Sequence, residues 1–181
     1  MQTTSSESLA DRLDYLKLDA PSLATLRSLK PLVEKHLPTS LDFFYSHIGG
    51  YPELRRFFRD SAHMQAAKGA QMRHWSRIAD GRFDEGYASS ARAIGNAHAR
   101  LGVSPSRYIG GYALIIERLL ATALPDLLSN ATSDDIAAKA NDIAAGVGVL
   151  IKAALLDMDL TTSTYLDSLE AALPDRRRIV A

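Results

Sequence analysis

The sequence predicts an all-α chain, on three observations. Apolar residues recur in steps of three and four through most of its 181 residues, the spacing of a helix with one buried face. Helix-start signals punctuate it, as at Asp19–Pro21 and Ser104–Pro105, where a capping side chain precedes a proline that suits the first turn. No stretch alternates apolar and polar residues as a half-buried strand would, and there is no repeat or low-complexity segment.

Composition narrows the function classes. The length suits one domain with a real core. Lys plus Arg and Asp plus Glu both number 21, so no positive excess points to a nucleic-acid partner. Cysteine is absent, which removes disulfides and thiolate metal sites and fits a reducing compartment. No apolar run approaches the ~20 residues of a membrane span, and residues 1–7 lack the basic and apolar regions of a signal peptide. A cytoplasmic, soluble domain is expected.

Residues 4–7 are polar and able to cap, and Leu9, Leu13 and Leu16 then recur at helical spacing, giving a short amphipathic first helix. Asp19, Ala20 and Pro21 start the second. Leu23, Leu26, Leu29, Leu32 and Val33 carry it to about Leu37, with Pro31 expected to kink or divide it. Pro38, Thr39 and Ser40 open another helix, with Leu41, Phe44, Tyr45 and Ile48 inward and Gly49–Gly50 as its stop. A short helix follows from Tyr51 to Phe57–Phe58. The helix from Ser61 to about Ile78 is rich in small residues (Ala62, Ala66, Ala67, Gly69, Ala70) that admit a neighbouring helix or a flat cofactor.

Asp80–Gly81 breaks the chain before a helix from Phe83 to about Leu101, which bears His98. Gly102 to Pro105 turns it sharply, with Ser104 as N-cap. The next helix runs through Tyr108, Tyr112, Ile115, Ile116, Leu119 and Leu120 to about Leu128, unless Pro125 ends it early. Residues 129–134 read as a loop in which Thr132 or Ser133 caps a last helix. That helix reaches about Leu173, far beyond the usual roughly eleven or twelve residues. One domain over 1–173 is expected, with 174–181 a flexible end.

Five histidines are present, at 36, 47, 63, 74 and 98, and none forms a His-Glu-x-x-His zinc pair. His36, before Leu37–Pro38, suits the negative end of a helix; His47 and His63 read as surface or packing residues. Counting back from His98 gives Ile94, Ala91 and Tyr87, a continuous apolar stripe, so His98 lies on a buried face. A lone histidine there is more often a hydrogen-bonded core residue than a ligand, and His74 competes for a ligand role. Tyr45 on its own reads as a core tyrosine whose hydroxyl reaches a backbone carbonyl.

One ordered set of residues goes further. His74–Trp75, Gly81, Phe83–Asp84, Tyr87, Ile94–Gly95, His98, Gly102, Pro105, Tyr108 and Tyr112 follow the pattern of the globin domains of globin-coupled sensors. The chain resembles these protoglobin-like haem proteins from about Ser6 to Leu173. The resemblance implies a globin fold with an extra N-terminal helix and a long C-terminal one.

It implies haem b (iron protoporphyrin IX) as cofactor and His98 as the proximal iron ligand, its other ring nitrogen held by the Ile94 carbonyl. Tyr45 becomes the donor to the bound gas, which carries partial negative charge when it is oxygen; such a bond is worth roughly 1 kcal/mol. The remaining expected pocket residues are Phe44, Phe57, Phe58, Ala67, Ala70, Gln71, His74, Ile94, Val103, Tyr108, Tyr112 and Ile115. The chain departs from relatives that carry leucine or threonine on the distal helix: Ala67 and Ala70 bring no hydroxyl there, and Gln71 is a weaker second donor. His74 marks the haem edge, with Arg73 and Arg77 as further propionate partners, and Tyr108 takes a proximal signalling place.

The implied function is gas sensing without catalysis. Oxygen binds reversibly on ferrous haem, with carbon monoxide and nitric oxide as other ligands. A homodimer through the last two helices, where Gly110, Gly111, Gly146 and Gly148 narrow the surface, would pass the signal through residues 155–166 to a covalent or separate output domain, as in aerotaxis or second-messenger control. Two other readings remain open: a stand-alone globin with nitric-oxide dioxygenase or peroxidase activity, for which no flavin or nicotinamide motif is present, and a haem-free helical interaction module.

Overall fold

Helix caps and apolar stripes set the architecture of the computed structural model, which describes residues 7–129 and 135–172. Helix α1 (Leu9–Tyr15) begins at Ser8, whose hydroxyl accepts from the Asp11 backbone while the Asp11 carboxylate takes the Ser8 N–H, a reciprocal cap. Residues 4–6 lie outside the described residues. Arg12 ties α1 to Asp159 and Ser163 near the chain's C-terminal end.

Helix α2 (Ala20–Gly49) is one uninterrupted helix of 30 residues, capped by Asp19. The division expected at Pro31 and Pro38 does not occur; both prolines lie inside it. Each removes one N–H and crowds the carbonyl four residues back, but the buried stripe Leu26, Val33, Leu37, Leu41 and Ile48 runs straight through both. A single tertiary face outweighs two local penalties. His36 therefore sits mid-helix, not at a helix end, and donates from Nε2 to Asp126 at 2.6 Å.

Helix α3 (Pro52–Arg55) is a single turn, and α4 (Ser61–Ala79) starts at Asp60, whose carboxylate accepts from the His63 backbone. Helix α5 (Glu85–Leu101) begins two residues after Phe83 because Asp84 is its cap, 2.8 Å from the Tyr87 backbone nitrogen. It ends at Gly102, whose φ of 72° is left-handed and suits glycine. Helix α6 (Pro105–Leu128) starts at Ser104 and continues past Pro125. Helix α7 (Ile136–Ala172) is as long as its sequence predicts. The candidate caps Thr132 and Ser133, and the end at 174–181, lie outside the described residues.

Helix α2 lies between α4 and α6, and α5 lies along α7. Leu26, Val33, Leu37 and Leu41 meet Trp75, Ile78, Tyr87, Tyr112, Ile115, Leu119 and Leu156 in one core. At Gly95 the α5 backbone comes so close to Thr161 that an added Cβ would overlap its carbonyl oxygen. Gly111 and Gly146 likewise make room for Phe44 and Leu29 of α2 within the same chain, whereas at Gly110 and Gly148 no described atom lies within 4 Å of where a Cβ would stand. A cavity of about 420 Å3 opens between α2, α6 and α7, walled by residues such as Leu32, Ala123 and Ile143. Among the described residues no helix is long and apolar enough to cross a membrane.

Candidate functional site

Helix α5 delivers His98 one turn before its left-handed end, on a half-buried face. Its Nδ1 lies 2.9 Å from the Ile94 carbonyl. A carbonyl only accepts, so Nδ1 carries the proton and a neutral ring keeps its lone pair on Nε2. Among the described residues no other hydrogen bond engages His98. Burial lowers its pKa below the ordinary 6.5, partly opposed by the Ile94 bond, which favours that neutral ring. The result is a histidine oriented at one nitrogen and available at the other.

The Tyr108 ring stands edge-on to His98, 4.9 Å between centroids. It comes from the first turn of α6, placed by the Ser104 cap. A void of only about 10 Å3 lies beside this pair, lined by His98, Val103, Pro105, Tyr108, Thr161, Thr162 and Tyr165. That is room for one water at most. The buried Thr162 hydroxyl has no partner among the described residues.

On the other side, α2 presents Phe44, Tyr45 and, across a turn, Phe58 as an edge-to-face cluster, with centroids 5.2 and 6.0 Å apart. Phe44 reaches the α6 backbone at Gly111, close to where Tyr108 meets His98, so α6 is the shared wall of both groups. Tyr45 makes no hydrogen bond to any described residue, and burial pushes its pKa up to about 12. It is a protonated donor with no acceptor among the described residues. No backbone carbonyl among the described residues accepts from it.

Helix α4 packs chiefly on α2 and α5 on α7 rather than on each other. Where α4 and α5 do meet is at one end: His74 stacks on Tyr87, and Arg77 donates to Ser90 and lies over the Tyr87 ring. The arrangement leaves the stretch bearing Ala67, Ala70 and Gln71 unpaired with the stretch bearing Ile94 and His98. Ala67 and Gln71 are half-buried, and Ala70 is exposed.

Several expected pocket residues have other engagements. His74 donates from Nε2 to Asp157 at 2.8 Å. Tyr112 is buried, tilted against Trp75, with its hydroxyl on Asp157. Ile115 is fully buried in the main core. Phe57 is half-buried beneath the Arg56 guanidinium, 5.3 Å from its ring. Arg77 is used at the α4–α5 junction, while Arg73 is exposed.

The residue that sequence reasoning missed is Asp157 of α7. It is fully buried and accepts from His74, Tyr87 and Tyr112, so it joins α4, α5, α6 and α7. Burial raises the Tyr87 and Tyr112 pKa values first, and the Asp157 charge raises them further. A signal was present in the sequence. Leu150, Ala153, Ala154, Leu160 and Thr161 form the buried stripe of α7, and Asp157 occupies its centre.

The sequence profile of the protoglobin family matches residues 5–171. The chain belongs to the protoglobin family. Among curated proteins it is similar to the heme-based aerotactic transducer HemAT of Halobacterium salinarum, 26% identical over 168 residues, which is 92% of this chain and 34% of that protein. This protoglobin thus spans about a third of its relative's length. Among solved structures it resembles the globin domain of a Geobacter sulfurreducens globin-coupled sensor, with a TM-score of 0.73 at 18% identity, over 87% of this chain and 97% of that one. The fold is therefore the all-α globin fold.

Proposed function

We propose that this chain is a haem-based gas-sensor domain that binds oxygen reversibly, with His98 as proximal ligand and Tyr45 as the donor to the gas. The observation that carries the reading is the His98 ring. Its Nδ1 proton is committed to the Ile94 carbonyl at 2.9 Å, which fixes the tautomer and leaves Nε2 as an unprotonated metal-donor atom. The aromatic cluster of Phe44, Tyr45 and Phe58 and the separation of α4 from α5 fit a flat apolar group. The iron of haem b would supply the gas-binding site; the name of the Halobacterium relative, a heme-based transducer, supports the choice of cofactor.

The protein residues divide the work. Ile94 holds His98 in one tautomer, and Tyr108 limits the tilt of its ring from below. Tyr45 offers a hydroxyl kept protonated by burial, and such a donor in a dry pocket favours the more polar ligand, oxygen, over carbon monoxide. Ala67, Ala70 and Gln71 leave the distal side roomy, with Gln71 the second polar contact. Nitric oxide is a further ligand. The function is binding, in the cytoplasm, and the signal leaves through α7 to an output domain. A homodimer would form across the exposed parts of α6 and α7, where Gly110 and Gly148 face open space.

Absorption spectra of the purified chain and of His98→Ala, ferrous, with and without oxygen, test the proposal. A haem band that shifts on oxygenation in the wild type and is lost or altered in His98→Ala is expected. A wild type without haem after supplementation, or an unchanged spectrum in His98→Ala, refutes the assignment. Rapid turnover of nitric oxide with a reductase would favour the dioxygenase reading instead.

A further inference from the structure

A buried carboxylate is costly unless its lone pairs are filled, and Asp157 fills them with donors from three other helices. Tyr87 donates to Oδ1; Tyr112 donates to Oδ2, and His74 Nε2 donates to the same oxygen at 2.8 Å. These are charge-assisted bonds, stronger and more directional than neutral ones. Their geometry imposes an order on the neighbouring hydroxyls. A carboxylate only accepts, so the Tyr112 proton must point at Asp157. Tyr112 can then only accept from its neighbour, and Tyr108 stands 3.1 Å away, oxygen to oxygen. The Tyr108 proton is thereby committed to Tyr112, and the Tyr108 ring is held edge-on to His98 at 4.9 Å.

We infer that Asp157 is the positioning residue of the proximal side. By taking the Tyr112 proton it fixes the Tyr112–Tyr108 hydroxyl chain, seats the Tyr108 ring against His98, and connects that histidine to α7. The inference rests on the proposed role of His98 and adds a defined route from it to the C-terminal helix. The route runs from His98 to Tyr108, Tyr108 to Tyr112 and Tyr112 to Asp157; Tyr108 and Tyr112 also meet ring to ring, and Tyr108 has a second, direct contact with α7 at Thr161. Tyr87 provides the internal control, because it donates to the same carboxylate but lies off this route.

Three variants test the route. Asp157→Asn keeps the shape but gives the side chain a donor group, so the Tyr112 hydroxyl is free to turn. Tyr112→Phe keeps the ring and cuts the chain at one oxygen, and it serves if Asp157→Asn folds poorly. Tyr87→Phe removes a bond of the same kind elsewhere on the hub. In the ferrous haem-loaded chain, the iron–histidine vibration should shift in Asp157→Asn and Tyr112→Phe and stay at its wild-type position in Tyr87→Phe. The oxygen dissociation rate should change in the first two by roughly two- to tenfold, the size of one net hydrogen bond.

In the haem-free chain, the His98 Cε1–H resonance should move in the same two variants, because the Tyr108 ring shifts relative to it. An equal effect in Tyr87→Phe, or none in the other two despite a loss of thermal stability, would reduce Asp157 to a structural tie and overturn the inference. If the wild type takes up no haem, the functional proposal fails, and the haem-free resonance still decides whether Asp157 positions Tyr108.

Discussion

Gly95→Ala is the sharpest test of how α5 is placed. On propensity alone the change should stabilise, since glycine inside a helix costs about 0.5–1 kcal/mol against alanine. The packing says otherwise. The new methyl would lie 3.1 Å from Thr164 Cβ and overlap the Thr161 carbonyl oxygen, a backbone atom of α7. Carbon atoms rest at about 3.5–4.0 Å, so the Thr164 contact by itself asks the helices to part by roughly 0.4–0.9 Å. Overpacking of this kind costs about 1–3 kcal/mol, and the propensity gain offsets less than 1 kcal/mol of it. A net loss of about 1–2 kcal/mol should lower the melting temperature by roughly 2–8 °C in a chain of this size. Thermal unfolding followed by circular dichroism measures it, with Gly49→Ala, outside the proposed interface, as reference. No described atom lies within 4 Å of a Cβ at Gly49, so that variant should hold or raise the melting point. If Gly95→Ala is as stable as Gly49→Ala, the close α5–α7 approach is wrong, and with it the seating of His98.

Tyr45→Phe should leave the melting temperature within a degree or two, because no hydrogen bond to a described residue is lost. It should speed oxygen release by roughly tenfold, the equivalent of about 1.4 kcal/mol; unfolding and stopped-flow release separate the two effects. Asp126→Asn removes the clasp between α6 and α2, where Lys35 and His36 both donate at 2.6 Å. The Lys35 bond, then the His36 bond, hold the Asp126 pKa below 3.8. Its stabilising contribution is therefore complete above that pH and is lost as pH falls through the folded-state value. The wild-type advantage in urea should be constant toward neutrality and shrink in acid; an advantage that grows in acid would contradict the clasp. Gly148→Trp, at a glycine with open space around it, should shift the chain from dimer toward monomer in sedimentation while leaving haem uptake intact. An unchanged sedimentation profile would remove that part of α7 from the proposed interface.

Much of the fold is legible because its determinants are local. Ser104 and Pro105 start α6, Gly102 ends α5, and Asp19 caps α2, each through one residue acting within a turn. His98 and Ile94 are legible for the same reason, since a four-residue step along one helix places a ring nitrogen at a carbonyl. The features that escape local reading are those decided by neighbours far along the chain. Pro31 and Pro38 each argue for a break, and only the continuous face that α2 shows to α4 and α6 explains why there is none. Asp157 is the stronger case. Asp159, two residues on, is exposed and pairs with Arg12, and the two aspartates look alike in sequence. What separates them is about half a turn of α7. That rotation faces Asp157 toward Tyr87, Tyr112 and His74, of which the family resemblance assigns Tyr112 to a pocket wall and His74 to a cofactor edge. Their hydroxyl and ring N–H groups explain how a carboxylate is tolerated in an apolar stripe. The carboxylate in turn explains why two buried tyrosines stand where phenylalanine would otherwise pack as well.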